Sequence, residues 1–182
     1  MCSMSKELCF PIDLCPGVPV GNHPGAFGAV RKFDIHTGVD LYTDRSFVYA
    51  MEDCEIINVF DFTGPKVGSP WWLPTHALLV KGESGFILYG EVGIKTDIIT
   101  GRFKTLNKGE YLGTVKSVLP KEKIRSYIPG HNNKMLHVEL YSDEPIKPAY
   151  WALNEKRPMN LLDPTNLLLN CKNAPEKLTW KS

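Results

Sequence analysis

Apolar residues in this chain alternate with polar ones over short runs, and the runs stop at Gly, Pro, Asp, Asn or Ser. In Met135-Leu136-His137-Val138-Glu139-Leu140-Tyr141 the two-residue period puts Leu136, Val138 and Leu140 on one face of a strand. Met135, His137, Glu139 and Tyr141 fall on the other. Gly38-Val39-Asp40-Leu41-Tyr42 repeats the pattern, with Asp40 opposite Val39 and Leu41. The alternation predicts strands over Gly38–Tyr42, Phe47–Ala50, Cys54–Phe60, Ala77–Lys81, Phe86–Glu91, Tyr111–Val118 and Met135–Tyr141. No run has the three-to-four spacing of an amphipathic helix. Short helical turns are predicted at Lys121–Tyr127 or Tyr150–Glu155, and Pro145, Pro148 and Pro158 restrict anything longer.

With 15 glycines and 14 prolines in 182 residues, turns are frequent enough to make a mostly β, antiparallel fold the reading of this texture. The length suits one buried core. The reading places an irregular arm over 1–25, rich in Pro and Gly, then a domain over 26–170 and a tail over 171–182. Trp151, Leu161, Leu162, Leu167, Leu168 and Leu169 are too apolar for a solvated extension, so residues 142–182 are expected to pack back on the sheet.

Charge narrows the function classes. Lys+Arg 21 against Asp+Glu 20 leaves a formal net charge of +1, so no global field favours nucleic acid or an anionic membrane. Lys116, Lys121, Lys123 and Arg125 form a small basic cluster without interleaved aromatics, which reads as a solvated loop. No segment approaches the ~18 apolar residues of a membrane span, and the first residues lack a signal-type apolar stretch. The 5 cysteines form no Cys-x-x-Cys pair and fit reduced thiols, so a cytoplasmic location is the simplest expectation. Nothing in the sequence encodes an oligomeric state.

The chemistry-bearing residues are His36 and Asp40, spaced by three, and His137 on the polar face of its strand. Singly, a strand histidine is more often a hydrogen-bonded structural residue, and His-x-x-x-Asp is a weak pattern. Together they supply two imidazole nitrogens and a carboxylate oxygen, ligands that zinc accepts at about 2.0–2.2 Å, with a fourth position left for water.

The run Phe27-Gly28, His36-Thr-Gly-Val-Asp40, Val48-Tyr49-Ala50, Leu88-Tyr89-Gly90-Glu91-Val92, Leu106-Asn-Lys-Gly-Glu-Tyr-Leu-Gly113, Leu136-His137-Val-Glu-Leu140 and Asp163-Pro164 resembles the lysostaphin-type, LytM-like zinc endopeptidases. Order and spacing match from about residue 25 to 167. The resemblance implies an antiparallel β-sheet sandwich with a groove, of the LytM (duplicated hybrid motif) type, with irregular extensions at both ends. It also implies cleavage of peptide bonds in bacterial cell-wall cross-links. His36, Asp40 and His137 match the three zinc ligands, implying one Zn2+ per chain and a peptide or cell-wall peptide as partner.

Two positions depart from the family pattern. The first His of the closing His-x-His is Met135, whose thioether accepts no proton at neutral pH. The His of Tyr-x-His is Glu91, after Tyr89. Two readings follow: a hydrolase in which Glu91 is the general base, or a zinc-containing module that binds a peptide or glycan without cutting it. Tyr89 and Met135 are assigned to the substrate groove in either case. His131, in a loop before the His137 strand, and the pair Trp71 and Trp72 are further candidates for substrate contact. Glu139 shares the face of His137 but is left out of the ligand set.

Overall fold

Strand β9 (Met135–Tyr141) organises the molecule because it is flanked on both sides and packed on both faces. The computed structural model describes residues 7–45, 47–120 and 134–180. Along one edge β9 pairs antiparallel with β2 (Val39–Tyr42) and with β10 (Leu161–Leu162). Along the other it pairs antiparallel with β6 (Gly85–Ile94), followed by β5 (Thr75–Gly82), β4 (Cys54–Thr63) and β7 (Thr105–Leu106). The strands β3 (Phe47–Tyr49) and β8 (Tyr111–Val115) complete this nine-stranded sheet, with β8 bridging β3 to β6. All pairings within it are antiparallel.

The predicted strands are present, Met135–Tyr141 with the expected bounds and the others with one or both ends shifted. β4 and β6 are ten residues each, longer than alternation alone suggests because both carry bulges that interrupt the two-residue period. Elements too short to show a period were not foreseen: β1 (Val18–Pro19), β7, β10, β11 (Lys177–Leu178) and the single-turn helices α1 (Thr96–Ile99) and α2 (Thr165–Leu169). The segment 150–155 forms an irregular turn and not a helix. The Lys121–Tyr127 turn, His131, and Lys121, Lys123 and Arg125 of the basic cluster lie outside the described residues.

Cross-strand partners share a face, so the register sorts the side chains. Val39 pairs with Val138, Leu41 with Leu136, Ile87 with Leu140 and Tyr89 with Val138. These make the main apolar layer together with Leu78, Val80, Leu112, Leu168 and residues from the N-terminal arm. On the other face a smaller cluster of Ala77, Leu79, Phe86, Leu88, Tyr141 and Leu161 gives way, along β9, to Glu139 and His137. The chain ends are tied together: β1 pairs in parallel with β11, and Cys9 bridges to Lys172. Leu161 and Leu168 of the C-terminal segment are fully buried. Among the described residues no helix is long and apolar enough to cross a membrane, and Cys9, Cys15, Cys54 and Cys171 are free thiols.

Candidate metal centre

Asp40 and His137 are direct cross-strand partners, so the apolar faces of β2 and β9 set their approach by fixing the register. His36 arrives from the loop before β2, which is held by hydrogen bonds from Gly28 N to His36 O and from His36 N to Ala29 O. The result is a triangle of ligand atoms. His36 Nε2 lies 3.1 Å from Asp40 Oδ1 and 3.2 Å from His137 Nδ1, and His137 Nδ1 lies 2.8 Å from Asp40 Oδ1. All three residues are buried. Zinc–ligand bonds of about 2.0–2.2 Å at tetrahedral angles put ligands roughly 3.3–3.6 Å apart, close to this triangle.

The outer atoms of each ligand decide what the triangle wants. His36 Nδ1 lies 2.9 Å from Ala26 O, and a carbonyl only accepts, so Nδ1 carries the proton. His137 Nε2 lies 3.0 Å from Glu139 Oε1, so it too donates outward. Neutral imidazoles committed in this way turn lone pairs toward one another and toward a carboxylate oxygen. Three acceptors at this separation need a cation between them or extra protons. His36, Asp40 and His137 are therefore a group that can hold a metal ion.

The surroundings balance this centre. Arg31 Nη2 donates to Asp40 Oδ2 at 2.8 Å, leaving Oδ1 for the triangle. Burial would raise the Asp40 carboxyl, but the charges and hydrogen bonds of His36 and His137 hold it well below the usual carboxylate range. Burial would lower His137, yet hydrogen bonds to Asp40 and Glu139 push it up to about 10. The ring of His137 packs against Phe62, with centroids 5.4 Å apart. Two glycines make room for it. A Cβ on Gly38 would meet Val138 O and, at 2.8 Å, His137 Cε1, while one on Gly90, the β6 partner of His137, would meet Phe62 at 2.7 Å.

Glu91 reaches the same place through a bulge. Strict alternation from Tyr89 would put it on the main apolar face. Instead, the β5–β6 register shifts between His76 and Leu78, and Glu91 has φ 61°. Val92 and Ile94 thereby return to the apolar layer, and Glu91 joins the wall of a cleft of about 520 Å³ with His36, Thr37, His137 and Glu139. Its Oε2 is buried without a hydrogen-bond partner among the described residues. Burial first, then the charge of Asp40, raises its carboxyl to about 8. A non-glycine residue at positive φ within a strand costs on the order of 1 kcal/mol or more and is concentrated at functional sites.

The other candidates divide. Trp72, 39% exposed, lines the cleft with Val67, Phe60, Phe62, Tyr150 and Trp151. Trp71 is 55% exposed, stands edge-on to Trp72 and lies outside the lining. Tyr89, expected in the groove, is fully buried on the opposite face, where its hydroxyl accepts from Met51 N at 2.9 Å. The period of β6 turns it toward Val138. Met135, half-buried opposite Tyr42, is likewise absent from the cleft wall. Sequence reasoning missed Arg31, Phe62 and the two glycines. Arg31 sits in a loop with no period to mark it, whereas Gly38, inside the His36–Asp40 motif, was a visible signal of close approach.

No family model matches this chain, and no curated protein sequence matches it. Among solved structures it is similar to Helicobacter pylori Csd3 from an orthorhombic crystal, with 16% identity and a TM-score of 0.45 over 82% of this chain. The chain spans 37% of that protein's length.

Proposed function

We propose that this chain is a zinc-dependent peptide hydrolase of the lysostaphin-type pattern, acting on peptides of the cell-wall kind, with Glu91 as general base. The carrying observation is the triangle of His36 Nε2, Asp40 Oδ1 and His137 Nδ1, whose outward atoms are already engaged by Ala26, Arg31 and Glu139. Two of the three residues, His36 and His137, line a cleft, which supports a catalytic reading because a catalytic zinc site keeps an open position. When bound there, zinc supplies Lewis acidity for a peptide carbonyl and for water. The protein's own part is positioning and proton transfer. Trp72, Tyr150 and Trp151 flank an extended peptide, and Glu91 takes a proton from the attacking water and passes it to the leaving amine. Burial, then the charge of Asp40, raises the Glu91 carboxyl, and a zinc ion beside it would draw it back toward the ionised form that accepts a proton.

The first experiment is elemental analysis of the wild type and His137→Ala, followed by a peptide-cleavage screen. The expected result is about one zinc per wild-type chain, lost in the variant, with metal-dependent cleavage that Glu91→Gln abolishes while zinc stays bound. Unchanged turnover in Glu91→Gln removes Glu91 as the base. A zinc-bound protein that cuts no peptide at any pH supports the second reading, a peptide- or glycan-binding module, which Met135 in place of a proton-accepting side chain favours.

A further inference from the structure

Glu139 is the most heavily engaged side chain beside the metal centre and is not one of its ligands. It is 1% exposed and accepts from three directions. Thr37 Oγ1, in the loop between His36 and β2, donates to Oε1 at 2.6 Å. His137 Nε2 meets the same oxygen at 3.0 Å, and the Tyr141 hydroxyl donates to Oε2. That hydroxyl in turn accepts from Ala149 N at 2.9 Å. Ala149 belongs to the 147–151 segment that forms one wall of the cleft, and its neighbour Trp151 accepts at its carbonyl from Ile35 N, one residue before His36.

We infer that Glu139 is a positioning residue that fixes which nitrogen of His137 faces the metal and ties the metal centre to the 147–151 wall through Tyr141. This deepens the hydrolase reading and rests on it for its function, but its geometry stands alone. An imidazole can ligate through either nitrogen, and the hydrogen bond on the far nitrogen selects between them. His36 receives that selection from a backbone carbonyl, which no side-chain substitution removes. His137 receives it from the Glu139 side chain, which a substitution can remove. The carboxylate tolerates burial because three donors satisfy it. Alternation alone places it: residues 137, 139 and 141 share a face of β9, and Thr37 reaches it from the turn into β2.

The test uses zinc alone as the probe, by competition with a chromophoric chelator, on the full chain carrying E139Q. The paired control is Glu52→Gln. Glu52 is also a buried carboxylate, but it binds Ser84 N and Oγ at the β5–β6 turn, away from the metal site. The expected result is zinc affinity weaker by about 10–100-fold in E139Q and unchanged in the control. A second readout needs no metal. In the zinc-free protein the His137 Nε2 proton, held on a buried carboxylate, gives a downfield, slowly exchanging NMR signal that E139Q moves upfield or removes. Wild-type affinity in a folded E139Q protein, or equal losses in E139Q and the control, overturns the inference. If the wild type binds no zinc, the hydrolase reading falls, and the NMR signal decides this one separately: displacement upholds it, and an unmoved signal overturns it.

Discussion

The two faces of β9 are built by alternate residues of one seven-residue strand, yet they respond to change in different ways. On one face Leu136, Val138 and Leu140 sit in a continuous apolar layer whose requirement is volume. Interactions there are non-directional, so what matters is that space is filled. On the other face His137 and Glu139 sit among hydrogen bonds whose requirement is direction, and a displaced atom leaves a buried polar group unpaired. The apolar face supplies register and the polar face uses it, because Asp40 meets His137 only where Val39 meets Val138 and Leu41 meets Leu136.

Leu136→Ala strikes the apolar face most directly. Leu136 is fully buried, and truncation leaves a cavity expected to cost about 2–5 kcal/mol. Urea denaturation of the zinc-free protein reads this as a fall in midpoint. Since volume and not direction is lost, the folded fraction is expected to keep wild-type zinc stoichiometry. Loss of metal at low denaturant would show that the two faces are not separable.

Gly38→Ala tests the seam between them. The added methyl would crowd Val138 O and the His137 ring, and since the first contact is backbone, β2 and β9 must separate. Overpacking of this kind costs about 1–3 kcal/mol, less than the leucine deletion. Zinc affinity is nevertheless expected to fall, the reverse of the Leu136 result. A variant destabilised but binding zinc normally would show that the His137 ring can move without consequence.

This contrast also explains what could be read in the sequence. The strands around the site follow from alternation in residues 38–42 and 135–141, and the ligand trio from the polar positions left over. Tyr89 shows the limit of motif reading. It lies two residues from Glu91 in the chain, but the same alternation that turns His137 toward the cleft side turns Tyr89 into the main apolar layer. Glu91 shows the converse, since period alone would bury it on the apolar side, and only the bulge at positive φ delivers it to the cleft. A bulge depends on pairing with β5 and β9, which a local pattern does not contain. Arg31 and the 147–151 wall are long-range matters of the same sort, placed by loop hydrogen bonds such as Ile35 N to Trp151 O.

Acidity offers the mildest probe of the polar face, and one to which the apolar face is blind. In the zinc-free protein His137 is raised from 6.5 to about 10, so its contribution is fully present below pH 6.5 and drains away as pH rises through 10. Glu91, raised from 4.5 to about 8, acts in the same sense: its contribution is complete below pH 4.5 and lost as pH climbs to 8. The zinc-free protein is therefore expected to lose stability between neutral and alkaline pH, by at most about 1.4 kcal/mol per pH unit for each proton involved. Zinc requires both imidazoles unprotonated, so the stabilisation that it adds is expected to grow over the same range. Thermal melts from pH 6 to 9, with and without zinc, should show the gap widening. The slope should persist in Leu136→Ala, because removing volume from the apolar face leaves the titrating groups in place, and should shrink in His137→Ala. Parallel curves with and without zinc would mean that metal and protons do not compete for His36, Asp40 and His137.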